Sequence, residues 1–80
     1  MYFVYIVRCA DKTLYTGITV DVARRVREHN SSPAGARYTR QRRPVRLVYR
    51  KRFRNRSTAS RAESRIKQLS RADKLKLTRH

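Results

Sequence analysis

The chain has no tryptophan, one cysteine, two glycines, two prolines and five carboxylate side chains in 80 residues. Each shortage excludes something. Cys9 alone builds no disulfide framework, zinc ribbon or Cys-x-x-Cys redox pair; a buried structural thiol in a reducing compartment is its ordinary place. Asp11, Asp21, Glu28, Glu63 and Asp73 are the whole acidic inventory, so a carboxylate cage around two metal ions cannot be assembled. The apolar run Met1–Val7 ends at Arg8, too short to cross a bilayer. It has neither a basic stretch before it nor a small-residue cleavage site after it. The expectation is a soluble, cytoplasmic protein with no membrane partner.

What is abundant is positive charge. Against the five acids stand 22 Lys and Arg, a net charge of +17. That balance points to a polyanion, and a bound polyanion should offset the self-repulsion that weakens so basic a fold. A chain this long supports one domain, taken as residues 1–80, that buries roughly 60–65% of the surface exposed by the unfolded chain.

Pattern along the chain sets the expected elements. Tyr2–Cys9 is β-branched and aromatic, and Thr13–Thr19 returns after Ala10-Asp11-Lys12, so the pair reads as a β-hairpin. Asp21 caps a short helix over Val22–His29. Asn30–Pro44 reads as a long basic loop, and Val45–Phe53 as a strand with Val45, Leu47, Tyr49 and Phe53 on one apolar face. Ser57 or Thr58 starts a second helix with Ser60-x-x-Glu63 as a capping box and Ala59, Ala62, Ile66 and Leu69 facing the sheet. Ser70-x-x-Asp73 caps a last short helix. The expected fold class is α+β: a small three-stranded antiparallel sheet flanked by helices, in the order β-β-α-β-α-α.

Some polar residues sit where apolar ones belong. At about 100° per residue, Arg25 and His29 share a helix face with Val22 and Val26, while Arg24, Arg27 and Glu28 point to solvent. The ordinary reading is a snorkelling Arg25 and a satisfied, half-buried His29. With a three-residue hairpin loop, Val7 opposes Tyr15 and Tyr5 opposes Gly17. Both phenols then share a face as diagonal neighbours about 7–8 Å apart, and Gly17 leaves open space beside Tyr5. A two-residue loop would put the phenols on opposite faces. Glu63, one of two glutamates, lies beside the apolar stripe, either capping Ser60 or free to hold one hard cation.

Val4-Tyr5-Ile6, then Tyr15-Thr16-Gly17, Arg25, His29 and a distal Glu63 form an ordered set that resembles the GIY-YIG nuclease superfamily. The chain is most similar to its compact single-domain members of UPF0213 (YhbQ-like) type and to Slx1-type endonuclease domains, from Tyr2 to about Leu69. Arg27–Asn30 and Gly35–Thr39 also look like this subgroup. Two positions depart from the motif: Phe3-Val4-Tyr5 has no glycine, and Thr16 replaces isoleucine. Both substitutions suit strands.

The resemblance implies an endonuclease hydrolysing phosphodiesters in nucleic acid, DNA first, with Mg²⁺ or Mn²⁺ on Glu63. Tyr5 or Tyr15 would take the proton of the attacking water, its pKa depressed by neighbouring cations. Arg25 would fork onto a phosphate oxygen, and His29 would share a proton relay or hold a phosphate. Gly17, Arg37, Arg40, Arg42 and Arg43 would lie along the nucleic acid, joined by Arg46 and the basic run Arg50–Arg56. Nothing in the pattern reads bases, so selectivity for shape, flaps or single strands is expected. Two rivals share the charge: a non-catalytic nucleic-acid binder, and a binder of membrane surfaces or heparin-like anions. A protein partner that supplies substrate targeting is compatible with the nuclease reading.

Overall fold

A computed structural model describes residues 1–78. The elements are β1 (Tyr2–Arg8), β2 (Leu14–Thr19), α1 (Val22–Ser31), α2 (Arg37–Arg40), β3 (Arg46–Phe53), α3 (Arg56–Gln68) and α4 (Arg71–Leu77). The fold is α+β, with one three-stranded antiparallel sheet in the order β2-β1-β3.

The hairpin has the three-residue loop. Cys9 N–H donates to the Thr13 carbonyl at 2.8 Å, and Lys12 turns the chain with φ 71°. Asp11 braces the turn, accepting from the Thr13 hydroxyl at 2.6 Å and its amide at 3.1 Å. Register follows: Val7 pairs with Tyr15 and Tyr5 with Gly17.

β1 is apolar along nearly its whole length because helices cover both faces of the sheet. Val4 and Ile6 face α3 and pack with Ala59, Ala62 and Ile66. Tyr5, Val7 and Cys9 face the other way, with Val22 of α1 and Val45. A strand buried on both sides has no polar face to show.

β3 corrects the expectation of a single apolar face. Ile6 pairs with Tyr49 but Val7 with Leu47, so the strand carries a bulge at this point. Val45 and Leu47 therefore join the α1 side, while Val48, Tyr49 and Phe53 join the α3 side. The bulge and the exposed Arg50, Lys51 and Arg52 also discourage pairing along the free edge of this strand.

The expected loop Asn30–Pro44 is a second correction. α1 runs on to Ser31, and one short helix, α2, sits within the rest. Side chains tie this segment down. Asn30 brackets the Val45 backbone, accepting from its N–H at 2.6 Å and donating to its carbonyl at 3.0 Å. Gly35 crosses α1 so closely that a Cβ there would lie 2.6 Å from the Glu28 carbonyl oxygen.

α3 is capped by Asn55, whose side chain accepts from Thr58 N–H at 2.9 Å. The Ser60-x-x-Glu63 capping box is thus overturned: both residues lie inside the helix, which leaves Glu63 without a capping duty. Ser70 caps α4 as expected, and Leu77 packs back onto the core. No helix among the described residues is long and apolar enough to cross a membrane.

Candidate active site

Tyr5, Tyr15, Arg25 and His29 meet on the α1 side of the sheet. The Tyr5 oxygen lies 2.7 Å from His29 Nε2, and the Tyr15 ring meets the imidazole edge-on with centroids 5.3 Å apart. Tyr38 stacks on Tyr15 at 5.8 Å, and the Arg42 guanidinium covers Tyr38 at 4.0 Å. A column of rings therefore leads from the buried imidazole out to solvent.

His29 is 0% exposed, which removes the expected option of its holding a phosphate. Both ring nitrogens are engaged. The Thr39 hydroxyl donates to the Ala36 carbonyl at 2.9 Å and lies 2.9 Å from His29 Nδ1. Ala36 N–H donates to the same Nδ1 at 3.3 Å, and Nε2 is hydrogen-bonded to the Tyr5 hydroxyl. Burial pushes the imidazole pKa down to about 4, helped by Arg25 and Arg43 and opposed by Glu28.

Tyr5 is 1% exposed, and burial pushes its pKa up to about 12. The nearby Arg25 pulls the other way, while Tyr15 and Glu63 add to the rise. The expectation that neighbouring cations make this phenol acidic is overturned, because desolvation outweighs them. A proton relay through His29 meets the same difficulty. Moving the proton from Tyr5 to His29 is uphill, because burial disfavours both the phenolate and the imidazolium. Tyr5 and His29 form a fixed neutral pair. Tyr15, only half-buried, is the phenol that reaches the surface.

Gly17 explains how the pair fits. A Cβ at this position would lie 2.5 Å from the Tyr5 oxygen and 2.7 Å from its Cζ. The space expected beside Tyr5 is filled by the phenol itself, so the buried Gly17 makes room for Tyr5 instead of offering a surface.

Arg25 Nη1 donates to Glu28 Oε1 at 2.9 Å and to the Ala34 carbonyl at 2.8 Å. Glu28 also holds Arg24 at 3.2 Å, and its side chain is 23% exposed, so it does not point to solvent as expected. These contacts hold the Glu28 carboxyl below the usual glutamate range, Arg25 being the largest cause. Glu63 comes from α3, near enough to act on Tyr5, and is 23% exposed. Among the described residues its one ion pair is with Lys67, an exposed neighbour one turn along at 3.3 Å. No group of three or more His, Cys, Asp or Glu side chains converges among the described residues. A single accessible carboxylate still fits Mg²⁺ or Mn²⁺, since hard octahedral ions are often held by one or two carboxylates, with waters and substrate phosphate supplying the other ligands.

Residues 1–76 match the family model described as the GIY-YIG catalytic domain. The chain belongs to the GIY-YIG family. The chain is 70% identical over 69 residues to a UPF0213 protein of Desulfotalea psychrophila, covering 86% of this chain and 63% of that relative. It is 55% identical over 74 residues to a UPF0213 protein of Halobacterium salinarum, covering 92% and 95% of the two chains. Among solved structures, the solution NMR structure of a UPF0213 protein of Bacillus halodurans superposes with a TM-score of 0.61 at 46% identity. That alignment covers 96% of this chain and 82% of the other. A GIY-YIG domain has a nuclease-type fold.

Within this GIY-YIG domain the four loop arginines separate. Arg43 is drawn inward to the end of α1, donating to the carbonyls of His29 and, at 2.7 Å, Ser32. These bonds make it a cap on the end of α1. Arg42 is tied to Asp11 at 3.1 Å and to the Tyr38 carbonyl at 2.8 Å. Arg37 and Arg40 stay exposed at α2, though Arg40 donates to the Pro33 carbonyl at 2.6 Å. The residues missed by sequence reasoning are Thr39 and Tyr38. The Gly35–Thr39 stretch marked their neighbourhood, but nothing in a basic loop says that a threonine folds back onto a helix.

Proposed function

We propose that this GIY-YIG domain is a divalent-metal-dependent endonuclease that hydrolyses DNA phosphodiesters, selecting branched or single-stranded structure over base sequence. The observation that carries this reading is the convergence of Tyr15 and Arg25 on the buried Tyr5–His29 pair, with the Glu63 carboxylate in electrostatic reach. Tyr15 would orient the attacking water and, as its phenolate, take the water's proton, because Tyr5 is buried and held protonated. Tyr5 and His29 hold the floor beneath it.

The Arg25 contacts to Glu28 and Ala34 both use Nη1, which leaves other donors of the fork for a phosphate oxygen. Its pull would strengthen as charge builds on the phosphorane. Glu63 would hold Mg²⁺ or Mn²⁺, which supplies Lewis-acid polarisation of the phosphate and charge for the leaving oxygen. The exposed Arg37 and Arg40 would follow the backbone without reading bases. A protein partner that delivers substrate fits so small a domain.

A non-catalytic binder is the second reading, favoured by the closed Arg25–Glu28 contact. End-labelled single-stranded, duplex, flap and junction DNA and an RNA, incubated with Mg²⁺ or Mn²⁺ and with EDTA controls, separate the two. Cleavage by the wild type that Glu63→Gln loses, with binding retained, is the expected result. Tight binding without cleavage on any substrate would leave the binder.

A further inference from the structure

The α3 side of the sheet carries a feature that the proposed chemistry does not use. Between the free edge of β3 and helices α3 and α4 lies an apolar cavity of about 310 Å³ that includes Tyr49, Phe53 and Ile66 in its wall. It continues into a groove lined by Lys51, Arg52, Arg54, Arg61 and Arg65, with Lys51, Phe53 and Arg65 common to both. Tyr49 and Phe53 are half-buried and anchored in the core beside Val4 and Ile6, so they are fixed platforms. Lys51 Nζ sits 5.7 Å from the Phe53 centroid.

None of the five cations is neutralised among the described residues. The ion pairs lie elsewhere, at Arg24, Arg25, Arg42, Lys67 and Lys76. Five unpaired, exposed cations along one groove repel one another and concentrate positive potential there. A polyanion relieves that repulsion. The rings narrow the choice of polyanion. A duplex keeps its base faces stacked away, and a run of acidic side chains alone brings charge but no aromatic face to match a ring. Single-stranded nucleic acid offers both, with phosphates for the cations and an unstacked base for the aromatic face.

We propose that this groove is a second nucleic-acid site that holds a single-stranded arm, with a base against Phe53 and phosphates along Lys51, Arg52, Arg54, Arg61 and Arg65. Resting on the nuclease reading, it defines the substrate class: a flap or fork whose unpaired arm passes to the far face of the sheet while the scissile strand lies over Tyr15. The groove itself needs only binding to be tested.

The test is fluorescence anisotropy in EDTA, where cleavage is off, with a labelled thymidine oligonucleotide of about 12 nucleotides and a blunt duplex of equal length. Phe53→Leu should weaken binding of the single strand about fivefold or more, and Phe53→Tyr should restore it. Duplex binding should stay within about twofold, since the groove takes unstacked bases. Arg54→Gln/Arg61→Gln should lower the salt slope for the single strand by about 1.4. Far-UV circular dichroism of each variant separates a folding defect from a lost contact, and Phe53→Tyr keeps the ring if Phe53→Leu unfolds. Equal loss for single strand and duplex, no loss in Phe53→Leu, or equally good competition by polyglutamate of the same charge would overturn the proposal. Cleavage assays fail independently: an inactive wild type with the Phe53 effect intact sinks the nuclease reading alone.

Discussion

His29 makes the site a determinant of acid stability. In the fold its pKa is about 4, against an ordinary value of 6.5, with burial the main cause and Arg25 and Arg43 adding to it. The unfolded chain therefore binds the proton more tightly. The stabilisation from keeping the ring neutral is complete above about pH 6.5 and is lost as the pH falls toward 4. Between pH 7.5 and 5, linkage gives a loss of about 2 kcal/mol, a large share of the stability of so small a domain. The window stops at pH 5 because the lowered carboxyls of Asp11 and Glu28, with ordinary values of 3.8 and 4.5, begin to cost stability below that. Urea unfolding followed by circular dichroism at constant ionic strength, from pH 7.5 to 5, reads the effect directly. His29→Gln should start less stable, because the Tyr5 and Thr39 contacts change, and its stability should be flat across the same range. A flat wild-type profile, or the same slope in His29→Gln, would refute the claim that burial keeps this ring neutral.

Other substitutions probe the same cluster. Gly17→Ala drives a methyl into the fixed Tyr5 ring and should cost about 1–3 kcal/mol of stability, read from the urea midpoint, along with much of any cleavage activity. Thr39→Val removes the hydroxyl that meets His29 Nδ1 and the Ala36 carbonyl in the buried site and should cost about 1–3 kcal/mol, whereas Thr39→Ser should restore most of it. Tyr15→Phe should abolish cleavage and leave the urea midpoint within about 0.5 kcal/mol. Tyr5→Phe should instead lower that midpoint by about 1–3 kcal/mol through the unpaired Nε2. The reverse pattern would exchange the roles assigned to the two phenols.

Legibility in the sequence depended on how local each signal was. The hairpin was legible because three loop residues fix the register, and register alone brings Tyr5 and Tyr15 onto one face. Arg25 and His29 were legible as a misplaced pair because helical spacing is rigid. Glu28 was not: the wheel gives a direction, but a long side chain bends toward two arginines within one turn of it. The capping box failed because Asn55 reaches the Thr58 amide first, which leaves Ser60 and Glu63 inside α3. The β3 bulge has no sequence signature, since Val45, Leu47 and Tyr49 alternate correctly and only the pairing with β1 shifts the faces. Thr39 and Arg43 were hidden for a common reason. Their partners are the ring and backbone of α1, at least ten residues away, and composition describes their segment as loop.

The acids argue last for Glu63. Each of the five has a partner: Asp11 binds Thr13 and Arg42, Asp21 caps α1, Glu28 clasps Arg24 and Arg25, Glu63 meets Lys67, and Asp73 meets Lys76. These engagements are unequal. Capping Asp21 holds a backbone donor, and Glu28 is held by two guanidinium groups, so a metal would have to break structure to reach either. Asp73 sits on α4, 52% exposed, with no link to the phenols. Among the described residues Glu63 has only the exposed Lys67, and ion pairs of that kind contribute about 0.3–0.5 kcal/mol. A divalent cation or a lysine ammonium can exchange there at little expense to the fold. Glu63→Gln should accordingly leave stability nearly unchanged while removing metal-dependent chemistry. A large fall in its urea midpoint would mean that the carboxylate is structural, and the one-metal reading would lose its ligand.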